Sequence, residues 1–197
     1  KEASRVMLGT DTLARSSAKV IEDPFTGKPI MLLPACYPDV VLMHVHRSDK
    51  YGNAQIDGIT IEDFELARAA RRLIMTTEEI VDNDVIRQSP QDTIIPYYLV
   101  DAVSEVRYGA HPTLMPGHYY FDEQHIGEWL RLSKTDEGVA AYLDRYVHGI
   151  DAFETYLELI GGDEQLEYLR QVEHLEAPLE APWLDEKRGT SRKGGKE

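Results

Sequence analysis

The stretch that most constrains the fold is residues 40–43, which read Val-Val-Leu-Met with no polar residue between them. A strand with one face in water alternates apolar and polar residues, whereas a strand covered on both faces is continuously apolar. The run therefore predicts a buried strand over residues 40–46, inside a largely parallel sheet. Pro38 before it and the turn residues 49–52 after it mark its ends.

The neighbouring segments alternate between strand and helix patterns. Thr60, with Asp63 three residues later, is typical of a helix N-terminus, so Thr60 is predicted to be the N-cap. The predicted elements are a strand at 30–34, a helix from Thr60 to Arg71, a strand at 73–77, a short helix at 84–88 capped by Asn83, and a strand at 100–103. A strand, helix, strand order favours a crossover connection between parallel strands.

The second half of the chain shows helical spacing instead. The predicted helices cover residues 123–132, 136–147, 151–160 and 164–172. Thr135 and Asp151 are predicted N-caps, and Gly149 and Gly161 are predicted to end helices. The fold class predicted from these patterns is α/β, with a mostly parallel open sheet flanked by helices and a helical C-terminal region.

Composition excludes several classes of protein. A chain of 197 residues that is 42% hydrophobic suits one folded domain, and it contains no apolar run long enough to cross a bilayer. Its net charge of −14 disfavours broad contact with nucleic acid or anionic membrane. The single cysteine, Cys36, forms no internal disulfide and is predicted to be a small buried thiol. These features predict a cytoplasmic protein.

The C-terminal end differs from the rest of the chain in charge. Residues 186–197 contain five basic and two acidic residues, three glycines and almost nothing apolar. This composition predicts a disordered tail over residues 176–197. A nucleic-acid-binding arm is the alternative interpretation, but a short charged end more commonly remains solvated.

Histidines provide two candidate metal sites. His44 and His46 alternate along one strand, so both side chains lie on one face and could bind zinc if a further ligand joined them. The alternative is that each is held by ordinary hydrogen bonds. His118 and His125 flank a second group with Asp122, but their spacing matches no helical zinc motif. The chain offers no compact further set of ligands, so no metal site is predicted.

Other chemistry is indicated by position. Glu78 and Glu79 follow a predicted buried strand, and ligands of open α/β sheets bind at the carboxyl ends of strands. An exposed helical turn would explain the two glutamates equally well. The turn at residues 109–112 could present His111 to the same cleft. The sequence contains no phosphate-binding glycine motif and no nucleophile elbow.

Several segments resemble a known family. Residues 38–53, Pro-Asp-Val-Val-Leu-Met-His-Val-His-Arg-Ser-Asp-Lys-Tyr-Gly-Asn, are similar to a segment of the A subunit of family I coenzyme A transferases. Further matching segments, in the same order, are Asp23-Pro24-Phe25-Thr26-Gly27, Ala67-Arg68-Ala69-Ala70, Thr77-Glu78-Glu79-Ile80-Val81, Ile95-Pro96, Val100-Asp101-Ala102-Val103 and Tyr108-Gly109-Ala110-His111-Pro112. The resemblance runs from about residue 9 to about residue 161, and within the family it is nearest to the glutaconate CoA-transferase type.

The resemblance implies a CoA-transferase-like fold and a hetero-oligomer with a B subunit. Its substrates would be an acyl-CoA and a carboxylic acid of the glutaconate or 3-oxo acid type, with coenzyme A as substrate and no resident cofactor. In the family the thioester is attacked by a glutamate of the B subunit, so no catalytic residue is expected in this chain. The family's A subunit starts well upstream, so residues 1–175 are expected to be the C-terminal portion of its domain.

Two other functions stay open at this point. A CoA-ester ring-opening hydrolase uses a similar A subunit, whereas a non-catalytic fragment would show no turnover with any partner. Within the expected cleft, the predicted substrate-binding residues are His46, Asn53, Glu78 and His111. Arg47 could pair with a substrate carboxylate, although a surface ion pair is the simpler role.

Overall fold

The computed structural model describes residues 2–4, of which the backbone alone is placed, and residues 8–179. The strands in these residues are β1 (Glu2–Ser4), β2 (Lys19–Glu22), β3 (Pro29–Leu33), β4 (Val41–Asp49), β5 (Ala54–Gln55), β6 (Leu73–Val81), β7 (Thr93–Ile95) and β8 (Ala102–Glu105). The α-helices are α1 (Asp11–Arg15), α2 (Asp63–Ala69), α3 (Asn83–Gln88), α4 (Glu123–Leu132), α5 (Asp136–Leu143), α6 (Phe153–Leu159) and α7 (Gly162–Glu173). A π-helical turn, Asp144–His148, continues α5.

The larger sheet has the strand order β7-β5-β4-β6-β8. Strands β4, β6 and β8 run parallel, with Met43 opposite Met75 and Met75 opposite Val103. Strands β5 and β7 add an antiparallel edge. The parallel centre and the β4-α2-β6 connection confirm the predicted α/β fold, and the antiparallel edge makes the sheet mixed. A smaller antiparallel sheet, in the order β1-β3-β2, precedes it in the chain.

The main core lies on one face of the larger sheet. Apolar side chains from β4 and β6 pack there against helix α2 and strands β5 and β7; the buried members are Val41, Val45, Ala54, Ala67, Leu73, Met75 and Ile95. On the opposite face, the segment after β8 covers only the carboxyl-terminal ends of the strands. A second small cluster there contains Met115, Tyr119 and Leu169, so helix α7 is anchored to this layer.

The prediction that residues 40–43 are covered on both faces is wrong. Leu42 is 77% exposed and its neighbour Ile74 is 41% exposed, because no described residue packs over that part of the sheet. The apolar run therefore has one face in the core, at Val41 and Met43, and one exposed face, at Leu42. Among residues 8–179, no helix combines the length and the hydropathy required to span a membrane.

Three predicted helix caps differ from the structure. Helix α2 begins at Asp63, after Glu62, and the Asp63 carboxylate accepts from the Ile61 N–H, so Thr60 is no cap. Asp82 precedes α3, and the Asn83 side chain donates to Asp49 instead. Ala152 precedes α6, so Asp151 is not the cap either. The Asn83 side chain thus bonds to a residue 34 positions away, and this tertiary contact overrides its local capping preference.

Other predictions in this half have mixed outcomes. Thr135 caps α5 as predicted, because its hydroxyl accepts from the Gly138 N–H. Gly149 ends the π-helical turn as predicted. Cys36 is exposed, so the predicted buried thiol is wrong; it lies in the connection between the two sheets, outside either core. Most of the predicted tail, residues 180–197, lies outside the described residues.

Candidate active-site cleft

A buried carboxylate organises the carboxyl-terminal edge of the larger sheet. Glu78, near the end of β6, is 6% exposed. Its Oε1 accepts from His44 Nε2 at 2.7 Å and from the Tyr119 hydroxyl at 2.6 Å, and its Oε2 accepts from the Tyr108 N–H at 2.7 Å. Burial acts to raise the pKa of Glu78, but these hydrogen bonds outweigh it and hold the pKa below its usual value. Glu78 is therefore an ionised group with its acceptor sites occupied.

The network extends from Glu78 in both directions. The ring of His44 also lies 2.8 Å, through Nδ1, from the Thr76 hydroxyl. The Tyr119 hydroxyl accepts from the Ala110 N–H at 3.0 Å. Burial, followed by the hydrogen bond to Glu78, raises the pKa of the Tyr119 phenol well above its usual value, so this hydroxyl stays protonated. The network thus joins β4, β6 and the segment after β8 into one unit.

A cleft of about 560 Å³ opens beside this network, within the size range of small-molecule sites. Its lining residues are Glu78, Glu79, Ile80, Glu105, Arg107, Tyr108, Gly117, His118, Tyr119, Arg170 and His174. They come from the ends of β6 and β8, the following loop and the last turn of α7. Of the four residues predicted to bind substrate, Glu78 lines this cleft.

His46 lies next to the cleft but is turned away from it. It is 2% exposed, with Nε2 donating to the Pro116 carbonyl at 2.9 Å and Nδ1 accepting from the Asp57 N–H at 3.1 Å. Burial lowers the pKa of His46, in accord with a neutral ring that accepts at Nδ1. His118, which does line the cleft, packs edge-on against the His46 ring. His46 therefore packs behind His118 and does not itself line the cleft.

Asn53 stabilises the turn that follows β4. Its side-chain amide donates to Asp49 Oδ2 at 2.8 Å, and its side-chain oxygen accepts from the Tyr97 N–H at 3.1 Å. Asp49 is fully buried and also accepts from Asn83 at 2.6 Å. Burial acts to raise the pKa of Asp49, but the hydrogen bonds from Asn53 and Asn83 outweigh it and lower that pKa. This cluster holds the β4 end to helix α3.

His111 belongs to a separate network within the helical layer. Its side chain has no exposed surface. Nδ1 accepts from the Tyr156 hydroxyl at 2.6 Å, and Nε2 lies 3.3 Å from Asp122 Oδ2. Asp122 also caps α4 through the His125 N–H and accepts from Gln165 at 2.9 Å. The structure therefore does not bring His111 together with Glu78 at the cleft.

The remaining candidates have partners within the chain. Arg47 forms a bidentate ion pair with Asp57 on the surface. This is the surface ion pair that the sequence analysis gave as its simpler role. His44 and His46 each bind different partners, although they share one face of β4. Within residues 8–179, no group of three or more His, Cys, Asp or Glu side chains is placed to hold a metal ion.

Sequence reasoning missed two residues of this site. Tyr119 is buried like an ordinary core aromatic, but its hydroxyl also donates to Glu78. Arg107 was not predicted to be a site residue, although it lines the cleft. It follows the predicted strand at residues 100–103 by a few positions, and Glu78 likewise comes directly after the predicted strand at residues 73–77. The rule that ligands gather at strand ends could have found Arg107. No local signal reveals the Tyr119 contact.

Comparison with known proteins now identifies the family. The family model described as coenzyme A transferase matches residues 2–106, more than half of the chain. The chain belongs to the coenzyme A transferase family. The matched region contains β4, β6 and β8, whose ends carry the cleft. The resemblance found in the sequence motifs is thereby confirmed.

Three curated relatives are similar to this family member. An uncharacterized protein of Archaeoglobus fulgidus is 58% identical over 180 residues, which are 91% of this chain and 40% of that protein. The A subunit of 3-oxoadipate CoA-transferase from Pseudomonas knackmussii is 33% identical over 138 residues, which are 70% of this chain and 48% of that protein. The A subunit of glutaconate CoA-transferase from Acidaminococcus fermentans is 32% identical over 152 residues, which are 77% of this chain and 48% of that protein.

The crystal structure of glutaconate coenzyme A-transferase from Acidaminococcus fermentans superposes with a TM-score of 0.79 and 27% sequence identity. The match covers 86% of this chain and 58% of that one. The fold predicted from the sequence resemblance is confirmed. The chain spans less than half the length of the three curated relatives.

Proposed function

We propose that this chain forms part of the A subunit of a heteromeric coenzyme A transferase. The enzyme would move coenzyme A between an acyl-CoA and a carboxylic acid of the glutaconate or 3-oxo acid type. The observation that carries the proposal is the family match over residues 2–106, which includes the three parallel strands that end at the cleft. The similarity to two CoA-transferase A subunits supports the same substrate class.

The nucleophile is proposed to come from a partner B subunit. Glu78 is the buried carboxylate of the cleft, and its three hydrogen bonds occupy the oxygen atoms that would have to attack a thioester. Attack would require those bonds to break, which costs the desolvation penalty of several buried donors. In this proposal Glu78 and its partners shape the cleft, and a glutamate of the B subunit performs the covalent steps.

Coenzyme A enters the proposed reaction as a substrate. The glutamate carboxylate of the B subunit would displace the coenzyme A thiolate from the acyl carbon and form a mixed anhydride. The thiolate would then attack the glutamyl carbonyl of that anhydride and release the first acid. An acceptor carboxylate completes the cycle by the reverse steps and leaves with the coenzyme A. No resident cofactor is needed for these steps, and a cytoplasmic location is part of the proposal.

The test is reconstitution of the complex. A tagged form of the chain is used to capture its partner, whose mass identifies a second subunit. The complex is then incubated with glutaryl-CoA, with and without acetate as the acceptor acid. A new thioester that forms only with the acceptor supports the transferase.

Other outcomes would overturn the proposal in distinct ways. A ring-opened product formed from a cyclic acyl-CoA without any acceptor would indicate the ring-opening hydrolase on the same fold. No turnover from a complex with a captured partner would indicate a non-catalytic role. Thioester exchange by the isolated chain would contradict the assignment of the nucleophile to the B subunit.

A further inference from the structure

Arg107 lies on a firmly held loop at the ligand-binding edge of the larger sheet. The loop follows β8, and its backbone N–H groups are anchored on both sides of Arg107. Val106 N–H donates to the Thr77 carbonyl at 2.8 Å, and Tyr108 N–H donates to Glu78 at 2.7 Å. Tyr108 has a positive φ of 62°, which ordinary side chains rarely adopt, so the anchoring bonds also fix an unusual turn.

The guanidinium of Arg107 has no ion-pair partner among the described residues, although most other arginines there do. The paired arginines are Arg47, Arg71, Arg72, Arg87, Arg145 and Arg170. Arg15, Arg68 and Arg131 also lack an ion pair in residues 8–179, but none of them lines the cleft. Arg107 is thus an arginine at the cleft whose charge the described part of the chain does not neutralise.

The other charged groups of the cleft restrict what can pair with Arg107. Arg170 is occupied by Glu167 and Glu176, at 2.8 and 3.0 Å. Glu105 accepts from the Ile80 N–H at 2.7 Å, and Glu79 is exposed beside it. These carboxylates repel a ligand with several negative charges, such as a phosphate ester, more strongly than one with a single charge. Among anionic ligands, the cleft therefore favours one with a single charge over one with several.

We propose that Arg107 binds the free carboxylate of a dicarboxylic acid whose other end is held as the coenzyme A thioester. The planar guanidinium matches a carboxylate with two parallel hydrogen bonds. His118 and His174, whose side chains have no hydrogen-bond partner among the described residues, line the same cleft and can donate to the ligand. This inference rests on the proposed function and adds to it the feature that selects the acid.

The first test measures binding by the full chain without turnover. Monomethyl glutarate, which has one carboxylate and one ester, is titrated while the side-chain N–H signal of Arg107 is followed by NMR. We expect the ligand to shift this signal and its affinity to fall about tenfold or more in Arg107→Gln. The affinity of Arg107→Lys should lie in between, because lysine keeps the positive charge but cannot form the two parallel hydrogen bonds of the guanidinium. The control Arg131→Gln removes an exposed arginine of α4 and should change affinity less than about twofold.

Three results would overturn the inference. The first is absence of binding at millimolar ligand, and the second is equal affinity in the wild type and Arg107→Gln. The third is a preference of the Arg107 site for adenosine 3′,5′-bisphosphate, which would make it a phosphate site for coenzyme A.

A second test uses the assembled complex to separate this inference from the proposed function. Arg107→Gln should lower kcat/KM for glutaryl-CoA about tenfold, with little change for butyryl-CoA, which has no free carboxylate. An equal loss for both substrates would contradict a carboxylate-selecting role. If the complex transfers nothing while Arg107 still binds monomethyl glutarate, the proposed function fails and the carboxylate site stands.

Discussion

The Nε2 atom of His44 lies 2.7 Å from Oε1 of Glu78, across two adjacent parallel strands. The loop after β8 closes over this pair, and Gly109 lies so near the imidazole that a Cβ there would be 2.6 Å from its Cε1 atom. The hydrogen bond, the tyrosine hydroxyl that also binds Glu78 and the loop form one packed unit beside the cleft. Its stability and the shape of the cleft are therefore linked.

Replacement of Glu78 by glutamine should destabilise the fold. The amide keeps the size of the side chain but retains only one acceptor oxygen, while three donors face this position. At least one buried donor then lacks an acceptor, and we expect a loss of about 1–3 kcal/mol in the free energy of unfolding, measured in urea. The matched control Glu79→Gln, at the exposed neighbour, should change it by less than about 0.5 kcal/mol. Equal effects of the two substitutions would contradict the assigned network.

Two glycines should respond to alanine in opposite directions. At Gly109 the added methyl group would also lie 2.9 Å from the Val106 carbonyl oxygen, so the loop or His44 must move, and we expect a loss of about 1–3 kcal/mol. At Gly127, inside α4, a Cβ meets no atom within 4 Å, and alanine should stabilise the helix by about 0.5–1 kcal/mol. Thermal unfolding of both variants checks this. A Gly109→Ala protein as stable as the wild type would mean that the loop does not close on His44.

The free energy of unfolding should decrease in two stages as the pH is lowered. Burial lowers the pKa values of His46 and His125, so the unfolded chain binds protons that the folded chain does not as pH falls through about 6.5. The folded-state pKa values of Glu78 and Asp122 are also lowered, because their hydrogen bonds outweigh burial. Their contribution is present above the unfolded value near 4 and is lost as pH falls below it.

The measurement for the first stage is the free energy of unfolding in urea between about pH 8 and pH 5. His46→Gln should flatten the slope in this interval, whereas His148→Gln, at an exposed histidine, should leave it unchanged. A slope that is insensitive to His46 would mean that folding does not lower the pKa of its ring. Unfolding free energy that rises on acidification would contradict both stages.

His111→Ala should act mainly through stability. It removes a buried ring and leaves the Tyr156 hydroxyl and the Asp122 carboxylate short of a partner, for an expected loss of about 2–4 kcal/mol. Urea denaturation gives this loss, and kcat/KM of the complex per folded molecule gives any direct role. The control His148→Ala should change neither. A large drop in kcat/KM with unchanged stability would instead support the predicted contact between His111 and substrate.

Local pattern was enough to predict the elements that build the site. The apolar runs of β4 and β6 and the intervening helix predicted parallel pairing, and Glu78 was expected near a cleft because it comes near the end of a strand. These predictions succeeded because apolar runs, helical spacing and strand ends depend on positions along one segment. The position of Arg107 could have been inferred in the same way.

Partners that are distant in sequence were not predictable. Tyr119 bonds to a residue 41 positions away, and Asn83 bonds to Asp49 instead of capping a helix. The exposure of Leu42 and Cys36 likewise depends on which segments pack nearby. These hydrogen bonds and exposed fractions depend on how the sheets and helices pack together in the folded chain.

The sequence by itself determined the class of fold, the helices of the second half and the family, since these follow from residue periodicity and from motifs in a fixed order. Only the tertiary structure decided which polar side chains face the cleft and which hold the protein together. His46, Asn53 and His111 satisfy buried neighbours, while Arg107 remains without an ion pair in residues 8–179. The physical reason is that a polar group's role depends on the donors and acceptors that folding places around it, and those come from remote parts of the chain.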